Sequence, residues 1–423
     1  MYKVIKILLA GFMGLFMTVS EDPEGTGPVT TALTITWDKS SEKKISSGGY
    51  PRAHRLNDGR LMMTMEQGGN SCYCLSSDNA LSWGELVTPW KAFTASRDGI
   101  STQVNISNPE FAQLSHTHPR HPDRIIFATN LRPKDAKSTV FPYSIAISVS
   151  DDRGGTWTGI TPVYQSEHWD TDHGMGCWEP FVLELPDGTV QIYFSDQTPY
   201  FRNGKSYQNI SVIESGDGGD TWGPVRICAY TKGYSDGMPV VLLEGTRLYL
   251  AIEHNERGKK LHPQIILCPV QDNWFSVRYG SSPDRFDPMK TPINAAVYAG
   301  APYLIATDHY FVLSYQSSAG ASVADHTHAA MEVVACPKSE MNRNGKFYTL
   351  RGASRPFTID QTTGYALWNS LCDLGDDAIL ALSATSSGIR ICRGRISAVP
   401  FRQGRRKPDG NRRESANNGR RGR

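Results

Sequence analysis

"SDDRGGTW", residues 150–157, decides the fold because two other stretches repeat it: "SSDNALSW" at 76–83 and "SGDGGDTW" at 215–222. All three fit Ser-x-Asp-x-Gly-x-Thr-Trp, with Ala80 replacing the glycine and Ser82 the threonine in the first. The pattern suits a tight turn between strands, in which Asp accepts from backbone amides, Gly takes positive φ and Trp packs into its own sheet. A calcium-loop reading fails, since the spaced ligand ladder and its terminal Glu are missing. The tryptophans stand 74 and then 65 residues apart. That period is too long for helical repeats and suits four-stranded propeller blades.

The rest of the chain reads as all-β. "FPYSIAISVS", "TVQIYFSD", "QNISVIES", "RLYLAIEH", "YFVLSYQS" and "AILALSAT" are short, rich in β-branched and aromatic residues and partly alternating. Turn signals such as "NDG" (57–59) and "PDG" (186–188) separate them. The expectation is one six-bladed β-propeller of four-stranded antiparallel blades over residues 30–400.

With 39% hydrophobic and 10% aromatic residues, the 423-residue chain can build a sizeable core. Its net charge of +2 conceals an asymmetry: residues 401–423 hold nine Lys/Arg against two Asp/Glu, which leaves the remainder at −5. That tail reads as a disordered extension, and no function is assigned to it. Residues 1–20, "MYKVIKILLAGFMGLFMTVS", place Lys3 and Lys6 before an apolar run and end in small residues, the layout of a secretory signal. The run is too short to span a bilayer. The mature protein is therefore expected to be exported, extracellular or periplasmic. Eight cysteines fit an oxidising compartment, as buried thiols or one or two disulfides. Asn105 and Asn209 begin "NIS" sequons. The histidine clusters "HTHPRH" (116–121) and "DHTH" (325–328) lack the spacing of a metal site. The first reads as an exposed loop, the second as a possible neighbour of the channel mouth.

The three turns resemble the Asp boxes of the sialidase-like six-bladed propellers. Further pieces, "YPRAHRLNDGRLM" (50–62), "SNPEFAQL" (107–114), "GCWEPFVLELPDG" (176–188), "YSDGMPVVLL" (234–243), "AIEHN" (251–255), "GAPYL" (300–304) and "GYALWNSL" (364–371), resemble glycoside hydrolase family 93. That resemblance spans about residues 45 to 397. It implies an exo-acting α-L-arabinanase that releases arabinobiose from linear α-1,5-linked arabinan with retention, without metal or organic cofactor. An exo-sialidase shares the fold, but its sites begin with Arg-Ile-Pro, where this chain has Tyr50-Pro51-Arg52. A non-catalytic carbohydrate-binding propeller is the other alternative.

Retaining hydrolysis needs two carboxyl groups about 5–5.5 Å apart. Glu179 lies between Trp178 and Pro180 ahead of an apolar run, where an unpaired buried charge would be costly. Glu253 ends "RLYLAIEH", 74 residues on and about one blade away. Both match the family's catalytic glutamates. Trp178 would dry Glu179 and raise its pKa, which favours it as acid/base and leaves Glu253 as nucleophile. Arg52, Asn108, Arg132, Asp236 and His173, the last beside Asp172, are candidate sugar-binding residues. Trp178, Tyr303, Tyr365 and Trp368 offer flat apolar faces for sugar rings. The expected partner is an arabinan oligosaccharide or polysaccharide; no nucleic acid or membrane partner is expected, and the protein is expected to be a monomer.

Overall fold

The computed structural model describes residues 29–134, 141–166, 176–200, 207–256, 258–341, 345–352 and 354–402. The signal-like segment, the basic tail beyond Arg402, His173 and Asp172 lie outside them. Residues Leu33–Ser397 form one compact unit; the described residues of the second unit, 29–32 and 398–402, are extended.

The large unit is a six-bladed β-propeller. Six mainly antiparallel sheets follow one another, each led by an inner strand: Gly49–Arg55, Ile100–Gln113, Cys177–Glu184, Asp236–Glu244, Ala299–Ala306 and Ala366–Gly375. We number the blades 1 to 6 in that order. The second strands, such as Val190–Asp196 and Tyr310–Ser317, are buried along their whole length. They have a neighbouring blade on each face, so they are apolar runs without strict alternation. Blade 2 gains a hairpin strand, Phe93–Arg97, on the start of its inner strand. Blade 6 takes its outer strand from the beginning of the chain: Val29–Ser46 lies beside Gly388–Arg402. The Thr34 and Ser397 hydroxyls meet there at 3.0 Å. The ring is thus closed by joining the two ends of the chain in one sheet.

The three Ser-x-Asp turns link the third and fourth strands of blades 1, 2 and 3 and share one hydrogen-bond set. Asp152 Oδ1 accepts from Thr156 N–H at 2.7 Å and from Ser150 Oγ at 2.8 Å, while Oδ2 accepts from Thr156 Oγ1 at 2.7 Å. Asp78 and Asp217 repeat it with Ser82 and Thr221. Ala80, Gly154 and Gly219 take φ of 69°, 91° and 97°. The tryptophan departs from expectation. Trp83, Trp157 and Trp222 lie against clusters drawn from two blades, their own and the preceding one. Trp157, for example, meets Trp90 of blade 1 edge-on at 4.6 Å, and Trp90 stacks on Phe127 of blade 2 at 3.6 Å. In blade 4 the turn after the third strand places Trp274 two residues after Asp272, where the motif has glycine, and its indole N–H donates to the Tyr193 hydroxyl of blade 3 at 2.8 Å. A lone sheet cannot bury both of its faces, so the turn's aromatic residue goes to the seam.

All eight cysteines are free and buried. Asn209 is also fully buried and donates to Ser211 Oγ at 2.9 Å, so its sequon presents no acceptor side chain. His118 is likewise no exposed loop residue: it is buried and lies 3.0 Å from the Gly188 carbonyl of blade 3. Among the described residues no helix is long and apolar enough to cross a membrane.

Removing the Trp90 ring by Trp90→Ala is expected to lower unfolding free energy by about 3–5 kcal/mol, read from denaturant midpoints. Acid should act on the turns. Their hydrogen bonds hold the Asp152 carboxyl down at about 2, so its contribution is present above its ordinary value of 3.8 and disappears as pH falls through about 2. Asp152→Asn should therefore lower the thermal midpoint at pH 6 and lose less than wild type between pH 5 and pH 2.

Candidate active site

Each inner strand carries the same irregularity. Tyr50, Asn108, Glu179, Met238, Ala301 and Trp368 all take φ between 47° and 58°, and the pairing register shifts at each of them. Pro follows in blades 1 to 5 and Asn369 in blade 6. A bulge leaves a gap in the ladder where proline, lacking an N–H, fits without loss. Left-handed backbone costs an L-residue about 1–2 kcal/mol, so the surroundings must hold it in place.

What holds it is a side chain from the preceding blade. The N–H of Met238 donates to Ser195 Oγ at 2.9 Å, that of Ala301 to Glu253 Oε2 at 2.8 Å and that of Trp368 to Gln316 Oε1 at 2.8 Å. The N–H of Asn108 donates to Glu66 Oε1. These acceptors share one register position on the second strands, opposite Trp178, Gly237, Gly300 and Gly49. Glu253 is thus first a cap for the bulge of blade 5. Glu179 occupies a slot that exists in every blade, and only blade 3 fills it with a carboxylate.

The two glutamates converge on one peptide. Glu179 Oε2 accepts from Ser195 Oγ at 3.1 Å and from Met238 N–H at 3.3 Å. Glu253 Oε1 lies 3.4 Å from where a side chain on Gly237 would begin. The Gly237–Met238 peptide bridges the two, and its reach limits the separation of the carboxylates to about 10 Å.

Both carboxyls are half-buried at their surface and crowded by protein, yet their surroundings differ. Burial raises Glu179, while Arg132, Ser195, the Met238 amide and Arg52 oppose the rise. Glu253 is pushed up to about 8 by burial and by the charge of Glu179, with only the Ala301 amide against it. At neutral pH Glu253 therefore keeps its proton.

The remaining candidates divide. Arg132, Asn108, Trp178 and Trp368 sit with the bulges. Arg132 donates to Asn130 Oδ1 at 2.6 Å and to Asn108 Oδ1, and lies 5.0 Å over the Trp178 ring. Trp178 packs edge-on against Tyr143. Trp368 is the large aromatic residue left exposed at a bulge, at 38%. Tyr365 is half-buried behind it, against Tyr298, Ala329 and Leu367.

Arg52, Asp236 and Tyr303 do not face the mouth. Arg52 is buried 3.8 Å over the Tyr50 ring, donates to the Pro51 and Trp368 carbonyls and lies 3.6 Å from Glu110. It holds blades 1, 2 and 6 together. Asp236 is fully buried between Arg285, at 2.7 and 2.9 Å, and His254, at 2.7 Å, and these partners hold its carboxyl below the usual range. Thr231 Oγ1 donates to Oδ2 at 3.4 Å and takes the fourth acceptor site, so the acid has none left for a ligand. Tyr303 packs against Phe181 deep in the channel. Beyond it a cavity of about 280 Å³ opens at the opposite end of the inner strands, lined by Ala53, His54, Phe181, Leu242, Ile305 and Leu371.

The sequence reading missed Glu66, Ser195, Gln316 and Tyr298. The signal was present as the recurring residue-Pro step, Tyr-Pro, Asn-Pro, Glu-Pro, Met-Pro and Ala-Pro, one in each of blades 1 to 5. It marks the bulges, and the position opposite marks their caps. His326 of the second histidine cluster does approach the mouth, with its ring 6.3 Å from that of Tyr298. Among the described residues no group of three or more His, Cys, Asp or Glu is placed to hold a metal ion.

No protein-family model matches the sequence, and no curated protein matches it. Solved structures do resemble the fold. A Dyadobacter fermentans protein of unknown function aligns at a TM-score of 0.60 and 12% identity over 86% of this chain and 99% of its own. The GH93 α-L-arabinofuranosidase of Fusarium graminearum, solved with arabinobiose, aligns at 0.55 and 15% identity over 84% and 93%. The intramolecular trans-sialidase of Ruminococcus gnavus, with oseltamivir carboxylate, aligns at 0.55 and 11% over 83% and 96%. At these identities the likeness shows the fold alone, a six-bladed β-propeller.

Because Glu253 is raised in the folded state, stability falls as pH rises from its unfolded value of 4.5 through about 8. Glu253→Gln removes that effect. Its thermal midpoint should exceed wild type by a few degrees at pH 9 and match it near pH 4, measured by calorimetry.

Proposed function

We propose that the chain is a secreted glycoside hydrolase that cleaves arabinobiose from the end of neutral, α-1,5-linked arabinan with retention. The observation that carries this reading is the pair of glutamates on adjacent blades, one kept protonated and the other bordered by Arg132, Ser195 and an amide. That inequality is what a general acid and a nucleophile require. The environments favour the roles opposite to those expected from Trp178. Glu253 gives its proton to the leaving oxygen while Glu179 attacks the anomeric carbon and forms a glycosyl ester. Glu253 then takes a proton from the water that displaces Glu179.

The charges favour a neutral sugar. Glu66 adds a third carboxyl beside Asn108. Among the described residues the arginines acting on Glu179 are Arg132 and Arg52, and both donate to protein atoms. An acidic sugar such as sialic acid would meet carboxylates without a free cluster of guanidinium groups. Likeness to an arabinose-processing propeller supports the choice of arabinan. Export is proposed from residues 1–20, and the catalytic domain from residues 30–400.

A second reading has its own support. Glu66 caps Asn108 as Glu253 caps Ala301, so the position of Glu253 serves architecture too. On that reading the protein binds glycans without cleaving them.

Linear debranched arabinan and a sialylated glycan, each incubated with the purified protein, separate these readings. Arabinobiose released first as the α-anomer in proton NMR supports the proposal. Binding without release would support the second reading, and released sialic acid would overturn both. Glu179→Gln should lower kcat by at least about 10³ on every substrate. Glu253→Gln should do so on arabinan yet keep much of the rate on an aryl arabinoside whose leaving group needs no proton.

A further inference from the structure

Gln316 occupies in blade 5 the position that Glu253 occupies in blade 4, and its amide can point only one way. The Trp368 backbone N–H can only donate, so the atom 2.8 Å from it is the amide oxygen. The amide nitrogen therefore donates to the Tyr298 hydroxyl at 2.6 Å. Gln316 is 3% exposed and Tyr298 9%, so water does not compete freely for either. With Tyr298 Oη accepting from Gln316, its own proton must point elsewhere.

Gly300 shows where. A Cβ at Gly300 would lie 2.5 Å from Glu253 Oε2 and 2.5 Å from Tyr298 Oη. The two oxygens thus flank one glycine Cα within about 5 Å of each other, a spacing that any side chain at residue 300 would fill. Burial and the charge of Glu253 raise the Tyr298 hydroxyl well above its ordinary range, so it keeps its proton. Tyr298 also bears on Glu179, and Asp325 and His326 border it from the turn ahead of the third strand of blade 5. On Glu253 itself, Glu179 acts from blade 3. Among the described residues no cation is in the set of groups acting on Glu253.

We propose that Tyr298 is a positioning residue whose O–H, aimed by Gln316, donates to Glu253 Oε2 each time Glu253 becomes a carboxylate, and so makes the proton on Glu253 available for transfer. In the protonated state Oε2 is held by the Ala301 amide. When the proton leaves, the Tyr298 hydroxyl turns its proton toward Oε2 and the Glu253 carboxylate closes the remaining distance across Gly300, so that the anion gains a second donor. The exposed Trp368 is tied to the same chain through its N–H, so the bulge of blade 6 is joined to the acid on blade 4. This inference rests on the reading of Glu253 as the acid, and its test does not need turnover.

Protein labelled at Glu Cδ with ¹³C is titrated by NMR, with the Glu253 resonance assigned by its loss in Glu253→Gln. Tyr298→Phe should move the Glu253 midpoint upward by at least half a unit, a change of about threefold or more in its proton affinity. Gln316→Met, which keeps the hydroxyl and removes what aims it, should move it in the same direction by less. If the protein is active, the alkaline limb of kcat/KM should rise with the NMR midpoint in Tyr298→Phe, while the maximum falls about tenfold. Midpoints equal to wild type in folded variants would overturn the proposal, and Gln316→Met decides alone if Tyr298→Phe does not fold. If wild type releases no sugar, the catalytic reading fails, while the midpoints still decide the Tyr298 contact.

Discussion

Everything at the mouth of this propeller depends on a backbone held against its preference. Six inner strands each turn one residue into the left-handed region, and in four of them that residue's N–H donates to a side chain of the preceding blade. The bulge would relax without the cap, and the cap would be a buried acceptor without a partner if the bulge relaxed. This mutual need binds adjacent blades and brings side chains from successive blades to one level. Convergence of residues far apart in sequence is a by-product of how the blades are joined.

A symmetric scaffold gains chemistry by filling equivalent slots unequally. The bulge slot holds Tyr, Asn, Glu, Met, Ala and Trp, and the opposing slot holds Glu66, Asn130, Ser195, Glu253, Gln316 and Ala384. Only between blades 3 and 4 do a bulge carboxylate and a cap carboxylate become neighbours. Ser195 satisfies Glu179 from below while capping Met238. Among the described residues Glu253 has the Ala301 amide and faces the charge of Glu179, while Arg132 sides with Glu179, so the two surroundings differ.

The fold was legible because its repeat is local. Asp152 and its copies complete a turn within eight residues, so each can be recognised without its neighbours. The destination of Trp157 was not legible, since the other half of its packing, Trp90 and Tyr73, belongs to the previous blade. The same reason separates the site residues. Arg52 and Asp236 looked like Arg132 in sequence, polar residues beside a turn. Arg285, 49 positions downstream, and Glu110, 58 downstream, are what withdraw Asp236 and Arg52 into the interior. Glu66 and Gln316 were overlooked because a polar residue near the end of an apolar strand carries no mark of the amide it will meet.

By itself the sequence determined the all-β class and the blade repeat, because turn chemistry and strand composition are short-range facts. The tertiary structure decided which side chains face one another across a blade seam, and with that the order of proton affinities. Trp178 suggested a dry Glu179, yet Arg132, Ser195 and the Met238 amide reach it from the second strands of blades 2 and 3 and the inner strand of blade 4, while among the described residues Glu253 faces Glu179 without a cation acting on it. Electrostatic energy depends on distances between chain segments that the linear order leaves free, so the difference between the two glutamates' surroundings belongs to the fold.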